Sequence, residues 1–118
     1  MAEHDLPREL RIRFAADFRS VYDQRCAKSD RTILIYGRGN KLPHSRLGLS
    51  VSRKVGSAVD RNRWKRAIRE AYRLEQHAIP RGFDWVVIPR QSRPPSLKKL
   101  QVSLCGLTKK LARKLEGR

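Results

Sequence analysis

A run of cations at helical spacing, over residues 61–73, is the feature of this chain that most clearly predicts chemistry. The run holds six cations and a single carboxylate, Glu70. Because solvated helices usually mix charges of both signs, a face this positive favours contact with a polyanion over simple exposure to water. Asn62 would add an amide suited to a sugar hydroxyl, a base edge or a metal-bound water, and these alternatives stay open. The candidate polyanion contacts, which include two cations just before the helix, are Arg53, Lys54, Arg61, Asn62, Arg63, Lys65, Arg66, Arg69 and Arg73.

The opposite face of the same helix is apolar and is expected to anchor it to a core. Ser57 and Asp60 have the spacing of a capping box, which predicts where the helix begins. Pro80 and Gly82 predict that it ends near His77. The predicted anchoring residues are Trp64, Ala67, Ile68, Ala71 and Tyr72.

A second candidate site combines aromatic side chains with polar strand residues. Phe18 and Tyr22 lie four apart in a predicted helix, and Tyr36 lies in a predicted strand. The next predicted strand points small, polar and cationic side chains to one side, which would leave that face of the sheet open to water. Aromatic rings beside such a face would form a cleft for unpaired nucleotides, whereas plain core packing of the rings is the alternative. The candidate cleft residues are Phe18, Tyr22, Tyr36, Arg46, Ser50 and Ser52.

The composition indicates an acidic partner for a small protein. The chain has 118 residues, which suits one compact domain, and a net charge of +17 from 28 Lys and Arg against 11 Asp and Glu. Nucleic acid is favoured over a membrane surface, because no basic segment carries a large apolar face or an acylation signal. No apolar run is long enough to span a bilayer, and Cys26 and Cys105 form no disulfide framework, so the cytoplasm is the expected location.

No pattern of residues predicts catalysis or metal binding by the chain itself. The acidic residues are scattered without the spacing of a metal site. His4, His44 and His77 fall in three separate regions, so no pair of imidazoles is expected across one cleft. We therefore expect no catalytic residue and no metal ion held by the protein alone.

The order of the predicted elements indicates an α+β fold, a small β-sheet with helices packed mainly on one side. Residues 1–13 are interpreted as a flexible basic arm and residues 14–118 as a single domain. Phe14 and Val21 of the first helix are expected in the core. A leucine seam in the last helix favours core packing over a dimerising coiled coil. The predicted helices cover residues 14–25, 58–77 and 97–115, and the predicted strands cover residues 32–37, 46–54 and 85–88.

The segment from Lys54 to Arg73 resembles the signature of the bacterial ribonuclease P protein subunit. The matching positions in this sequence are Arg61-Asn62-Arg63, Lys65-Arg66, Arg69-Glu70 and Tyr72-Arg73. The lead-in from Ser50 to Gly56 also matches, as does Phe18 through Tyr22, and the resemblance extends from about Phe14 to Leu111. Trp64 stands where the family usually has a branched aliphatic residue, which keeps the position apolar.

The resemblance implies an αβββαβα sandwich of the kind seen in the second domain of ribosomal protein S5, with a left-handed βαβ crossover. It also implies a subunit that joins a catalytic RNA, binds the 5′ leader of precursor tRNA in the aromatic cleft and needs no obligate protein partner. The RNA, with Mg²⁺ that it mainly binds, would perform the endonucleolytic cleavage. A ribosomal or ribosome-assembly protein that binds RNA structurally is the alternative, and a DNA-binding regulator is disfavoured because no recognition helix or dimer interface is evident.

Overall fold

The computed structural model describes residues 6–117, which form three helices and a four-stranded mixed sheet. Two short 3₁₀ turns, Arg8–Leu10 and Arg53–Val55, precede the first helix and the second helix. In chain order the main elements are α1 Ala15–Asp23, β1 Ala27–Ser29, β2 Ile33–Gly39, β3 Arg46–Leu49, α2 Ala58–Glu75, β4 Phe83–Pro89 and α3 Leu97–Glu116.

The sheet has the strand order β1-β2-β4-β3. β2 pairs antiparallel with both β1 and β4, whereas β3 and β4 pair in parallel. Because α2 connects the two parallel strands, β3, α2 and β4 form a βαβ unit. The α+β class with a small mixed sheet is confirmed, and the handedness of the crossover stays a prediction.

The main core lies between one face of the sheet and the helices α2 and α3. Ile33 and Ile35 of β2 point into it, as the alternation of that strand predicts, and Trp85 of β4 joins them. The apolar face of α2 is buried as predicted, and the Trp64 indole N–H donates to the carbonyl of Gln91 at 3.1 Å. The leucine seam of α3 also packs here, which confirms its role in the core; its buried members are Leu100, Leu104, Leu107 and Leu111.

The other face of the sheet is partly covered by α1, so the prediction of an open polar face was wrong in part. Val21 of α1 and Val86 of β4 are fully buried between them. Gly48 permits this close approach, because a Cβ at that position would lie 2.8 Å from a ring carbon of Phe18. Phe14, expected in the core, precedes α1 instead and is 62% exposed, with the Arg13 guanidinium 5.2 Å from the centre of its ring.

The second predicted strand is shorter than expected, since β3 ends at Leu49 rather than continuing to Lys54. The Ser52 hydroxyl accepts the N–H of Lys54 at 3.3 Å, which begins a 3₁₀ turn in place of extended backbone. Gly56 then adopts a φ of +139°, a region that favours glycine, and redirects the chain into α2. The sequence pattern did not locate β1, because three residues with mixed exposure carry no periodic signal, but the αβββαβα order that the resemblance implies includes this strand.

Residues 6–13, assigned from the sequence to a flexible arm, pack against the domain. Leu6 and Ile12 are buried, and Arg11 forms a parallel bridge with Leu47 of β3. The remainder of the predicted arm, residues 1–5, and the C-terminal Arg118 lie outside the described residues.

Candidate nucleic-acid interface

The cationic face of α2 is positioned by the capping box that the sequence predicts. The Ser57 hydroxyl accepts the N–H of Asp60 at 3.3 Å, and the Asp60 carboxylate accepts the N–H of Ser57 at 3.1 Å. These bonds satisfy N–H groups that the first helical turn would otherwise leave without partners. Burial of the opposite face then fixes the rotation of the helix and turns its cations outward.

Most of the predicted contacts on α2 lie at its surface. Asn62, Arg63 and Arg66 are exposed. The remaining members of this face are half-buried along its flanks, and they are Arg61, Lys65, Arg69 and Arg73.

Little of the positive charge on this face is neutralised by the chain itself. Among the cations of this face, the structure of residues 6–117 pairs Arg73 with a carboxylate: its guanidinium lies 2.7 Å from Glu70. The pair joins residues three apart, which are neighbours on the helix surface. An arginine has five N–H donors, so the Arg73 guanidinium keeps donors for another ligand. The face therefore carries charge that an external anion can neutralise.

The aromatic residues of α1 border an open groove of about 420 Å³ next to the end of β3. Phe18 and Tyr22 line it together with Ser50, as the cleft prediction requires of these three residues. Tyr36 lies behind Tyr22, with the two rings edge to face at 5.1 Å and 86°. All three aromatic side chains are half-buried against the small second core, and Phe18 and Tyr22 are also exposed to the groove.

Two other predicted cleft residues lie outside the lining of the groove, and one lining residue was missed. Ser52 is exposed beyond the end of β3, where its hydroxyl caps the 3₁₀ turn. Arg46 lies at the opposite end of that strand. Arg19 lines the groove between the two aromatic residues of α1. Its position three residues before Tyr22 was the available signal, since residues three apart are neighbours on a helix.

Arg46 belongs to a cluster of polar side chains around Asp84, a fully buried residue of β4 that the sequence did not single out. Arg46 donates two hydrogen bonds to the Asp84 carboxylate, at 2.8 and 2.7 Å. Arg38 donates to it at 3.1 and 3.2 Å, and the Asn40 amide donates at 2.9 Å. Asp17 of α1 lies 3.5 Å from Arg38 and 3.7 Å from Arg46. This cluster, Asp17, Arg38, Asn40, Arg46 and Asp84, is called the Asp84 cluster below.

The Asp84 cluster holds its central carboxylate ionised inside the fold. Burial by itself raises the pKa of Asp84, but the hydrogen bonds from Arg46 and Asn40, together with the positive charge of Arg46, outweigh burial and lower it. The same contacts raise the pKa of Arg46. The Arg46 guanidinium is thus bound chiefly to the protein, and its first role is to connect the strands.

Arg53 and Lys54 lie on the 3₁₀ turn between the groove and α2, and both are exposed. The segment from Ser50 to Ser57 leads from the lining of the groove to the first turn of α2. Its two cations therefore extend the positive face of α2 toward the aromatic groove.

Neither a metal centre nor a membrane span is found in the described part of the chain. No group of three or more His, Cys, Asp or Glu residues among residues 6–117 is arranged to hold a metal ion. Within the same residues, no helix has the length and apolar character needed to cross a membrane.

Comparison with known proteins identifies the family. The family model for ribonuclease P matches residues 6–112, a range that includes both the groove and the cationic face. The chain belongs to the ribonuclease P protein family. Its sequence is 39% identical over 108 residues to the ribonuclease P protein component of Clostridioides difficile, covering 90% of this chain and 95% of that one.

Solved structures of ribonuclease P proteins share the fold. The Staphylococcus aureus protein superposes with a TM-score of 0.74 at 38% identity, covering 88% of this chain and 95% of its own. The Thermotoga maritima protein superposes with a TM-score of 0.77 at 33% identity, covering 85% and 96%. These comparisons favour a ribonuclease P protein over the ribosomal alternative and confirm the resemblance drawn from the sequence.

Proposed function

We propose that this chain is the protein subunit of a ribonuclease P holoenzyme and that it binds both the catalytic RNA and the 5′ leader of precursor tRNA. The observation that carries the proposal is the continuity between the two candidate surfaces. The aromatic groove continues through exposed Arg53 and Lys54 into the cationic face of α2. A single-stranded leader could therefore occupy the groove while structured RNA lies against the helix.

The two surfaces offer different kinds of binding. Cations on α2 attract phosphates, and this contribution gives affinity without reading sequence. Aromatic rings in the groove stack on unpaired bases, which is worth about 1–3 kcal/mol per base. Phe18 and Tyr22 would serve as stacking surfaces, and Arg19 would hold a phosphate at the groove edge. The groove thus distinguishes a precursor, which has a leader, from a mature tRNA.

Under this proposal the RNA subunit performs the cleavage and the protein supplies binding. The buried carboxylate of Asp84 is bonded to two arginines, and the described residues offer no carboxylate cluster that fits Mg²⁺. We therefore assign Mg²⁺ to the RNA and no catalytic role to the protein's residues. The partners we propose are the catalytic RNA and the leader, with no obligate protein partner and no membrane, in the cytoplasm.

Reconstitution tests the proposal directly. The chain is mixed with a bacterial ribonuclease P RNA and a precursor tRNA at low Mg²⁺, where the RNA alone is slow, and leader release is measured. We expect strong stimulation by the protein and no cleavage by the protein without RNA. A chain that bound the RNA but left its cleavage rate unchanged would instead match the structural RNA-binding alternative. Cleavage by protein free of ribozyme would contradict the assignment of chemistry to the RNA.

A further inference from the structure

A cavity of about 500 Å³ lies at the end of α2, away from the aromatic groove. It is enclosed by the 3₁₀ turn Arg8–Leu10, the loop before β3 and the segment that follows α2. None of the residues that line the aromatic groove lines this cavity. One of its lining residues, Arg73, also belongs to the cationic face of α2, so the cavity is contiguous with the proposed RNA surface.

The charged groups around the cavity favour an anion. Arg73 and Arg81 line it, the His77 imidazole adds a polar group, and no carboxylate is among its lining residues within the described chain. The carboxyl-terminal end of α2 contributes an opposing partial charge of about half a negative unit. Arg81 brings a full positive charge that outweighs this contribution, and Arg73, although paired with Glu70 at 2.7 Å, keeps an Nε–H without a partner among the described residues. The His44 imidazole lies 3.2 Å from the carbonyl of Glu9, so one of its nitrogens is engaged with the protein.

Part of the lining is apolar, and the cavity is larger than a phosphate needs. Leu10, Pro43 and Ile79 supply apolar surface to the lining. Among the polar lining residues, the Ser45 hydroxyl donates to the carbonyl of Pro80, and Tyr72 is buried. A volume of about 500 Å³ lies in the range of pockets that bind small organic ligands. Cations beside apolar surface suit a nucleotide, which pairs an anionic phosphate with an apolar sugar and base face.

We propose that this cavity binds one nucleotide of an RNA strand, at a site separate from the leader groove. Arg73 and Arg81 hold its phosphate, and its sugar or base lies against Leu10, Pro43 and Ile79. This inference rests on the proposed function, since it takes RNA as the ligand. It adds a third point of contact at the end of α2 opposite to the capped first turn.

A titration of the isolated full chain followed by NMR tests this site. The probe is the dinucleotide ApA, whose single phosphate is a diester as in RNA, and the comparison ligands are inorganic phosphate and adenosine. Sulfate is held constant so that general anion effects on folding cancel. We expect amide shifts concentrated at residues 44–45, 76–79 and 81, with ApA binding more tightly than either comparison ligand.

Arg81→Gln and Arg93→Gln form a matched pair of variants for the same titration. Both remove one exposed arginine, but Arg93 lies in the loop before α3 and lines none of these surfaces. We expect Arg81→Gln to weaken ApA binding roughly tenfold, because a charge-assisted hydrogen bond is lost, and Arg93→Gln to leave it unchanged. Shifts that centre on the groove, equal losses in both variants, or equal affinity for phosphate and ApA would each overturn the inference.

The titration separates this inference from the proposed function. It contains no ribozyme, so failure of ApA to bind the cavity would leave stimulation of leader cleavage standing. Conversely, a chain that binds ApA in the cavity but does not stimulate cleavage would contradict the proposed function alone.

Discussion

The arginines of α2 and the arginines of the Asp84 cluster carry the same side chain in opposite surroundings. Arg38 and Arg46 bond to a buried carboxylate at 2.7–3.2 Å, so their charges are neutralised within the fold. Arg63 and Arg66 are exposed and have no carboxylate within ion-pair distance among the described residues. The first pair stabilises the sheet, whereas the second pair leaves charge for a partner. Basicity in this protein therefore serves folding in one region and binding in the other.

The largest effect should come from removing the carboxylate at the centre of the Asp84 cluster. Asp84→Asn removes the fully buried carboxylate that two half-buried guanidinium groups share and leaves only the more distant Asp17 beside them. We expect a loss of about 3 kcal/mol in the free energy of unfolding, since breaking a buried ion pair from one side is strongly destabilising. Urea unfolding followed by circular dichroism measures it, with Asp23→Asn on the exposed end of α1 as control. A loss no larger than that of the control would mean that the cluster does not stabilise the sheet.

The aromatic groove should be sensitive to loss of the rings while the fold persists. The double variant Phe18→Leu, Tyr22→Leu keeps apolar volume against the sheet but removes both stacking surfaces. In the holoenzyme we expect precursor tRNA to bind roughly tenfold or more weakly, at about 1–3 kcal/mol per lost stack, with mature tRNA little affected. Phe14→Leu is the control, because Phe14 is aromatic and exposed but does not line the groove. Equal losses for both tRNAs would argue against a leader groove.

A smaller effect should distinguish the two classes of arginine directly. Arg66→Ala should reduce the salt dependence of RNA binding by about one unit in the log–log slope, as expected for one lost phosphate contact. Its unfolding free energy should stay within about 0.5 kcal/mol of the parent, as for most exposed positions. Arg38→Ala should instead lower the free energy of unfolding, because Asp84 loses a hydrogen-bond donor, and should change the salt slope of RNA binding little. An unchanged slope for Arg66→Ala would mean that this arginine is only solvated.

The smallest effect concerns acid. Asp84 has an ordinary pKa of 3.8 that contacts with Arg46 and Asn40 lower in the folded protein, despite the opposing effect of burial. Folding therefore favours the ionised form, so this contribution to stability is present above about pH 4 and is lost as the pH falls through the lowered value. Asp30 contributes in the same direction, because its bonds to Ser103 and to the N–H groups of Ile33 and Thr32 outweigh burial. Between pH 5 and pH 2, the free energy of unfolding should decline less steeply in Asp84→Asn than in the parent protein.

Features that depend on neighbours in sequence were predicted well. The capping box of α2 joins residues three apart, and the buried face of that helix follows from its period. The alternation of Ile33 and Ile35 likewise identified the core face of β2. The predicted strand was too long where a local side-chain hydrogen bond competes with extended backbone, as at Ser52. The prediction that Phe14 lies in the core was wrong because the helical spacing was extended to a residue that precedes α1.

The sequence alone determined the cationic face of α2, its cap, its anchoring face and the family, because each of these depends on residues only a few positions apart. The tertiary structure decided which arginines are available. Arg38 and Arg46 reach Asp84 only because β2 and β3 lie on either side of β4. Along the chain, both arginines are more than 30 positions from this carboxylate. The tertiary structure also forms the aromatic groove, since α1 packs against β3 only because Gly48 leaves room for Phe18. Contacts between distant segments carry no local period, and only the packed sheet brings them together.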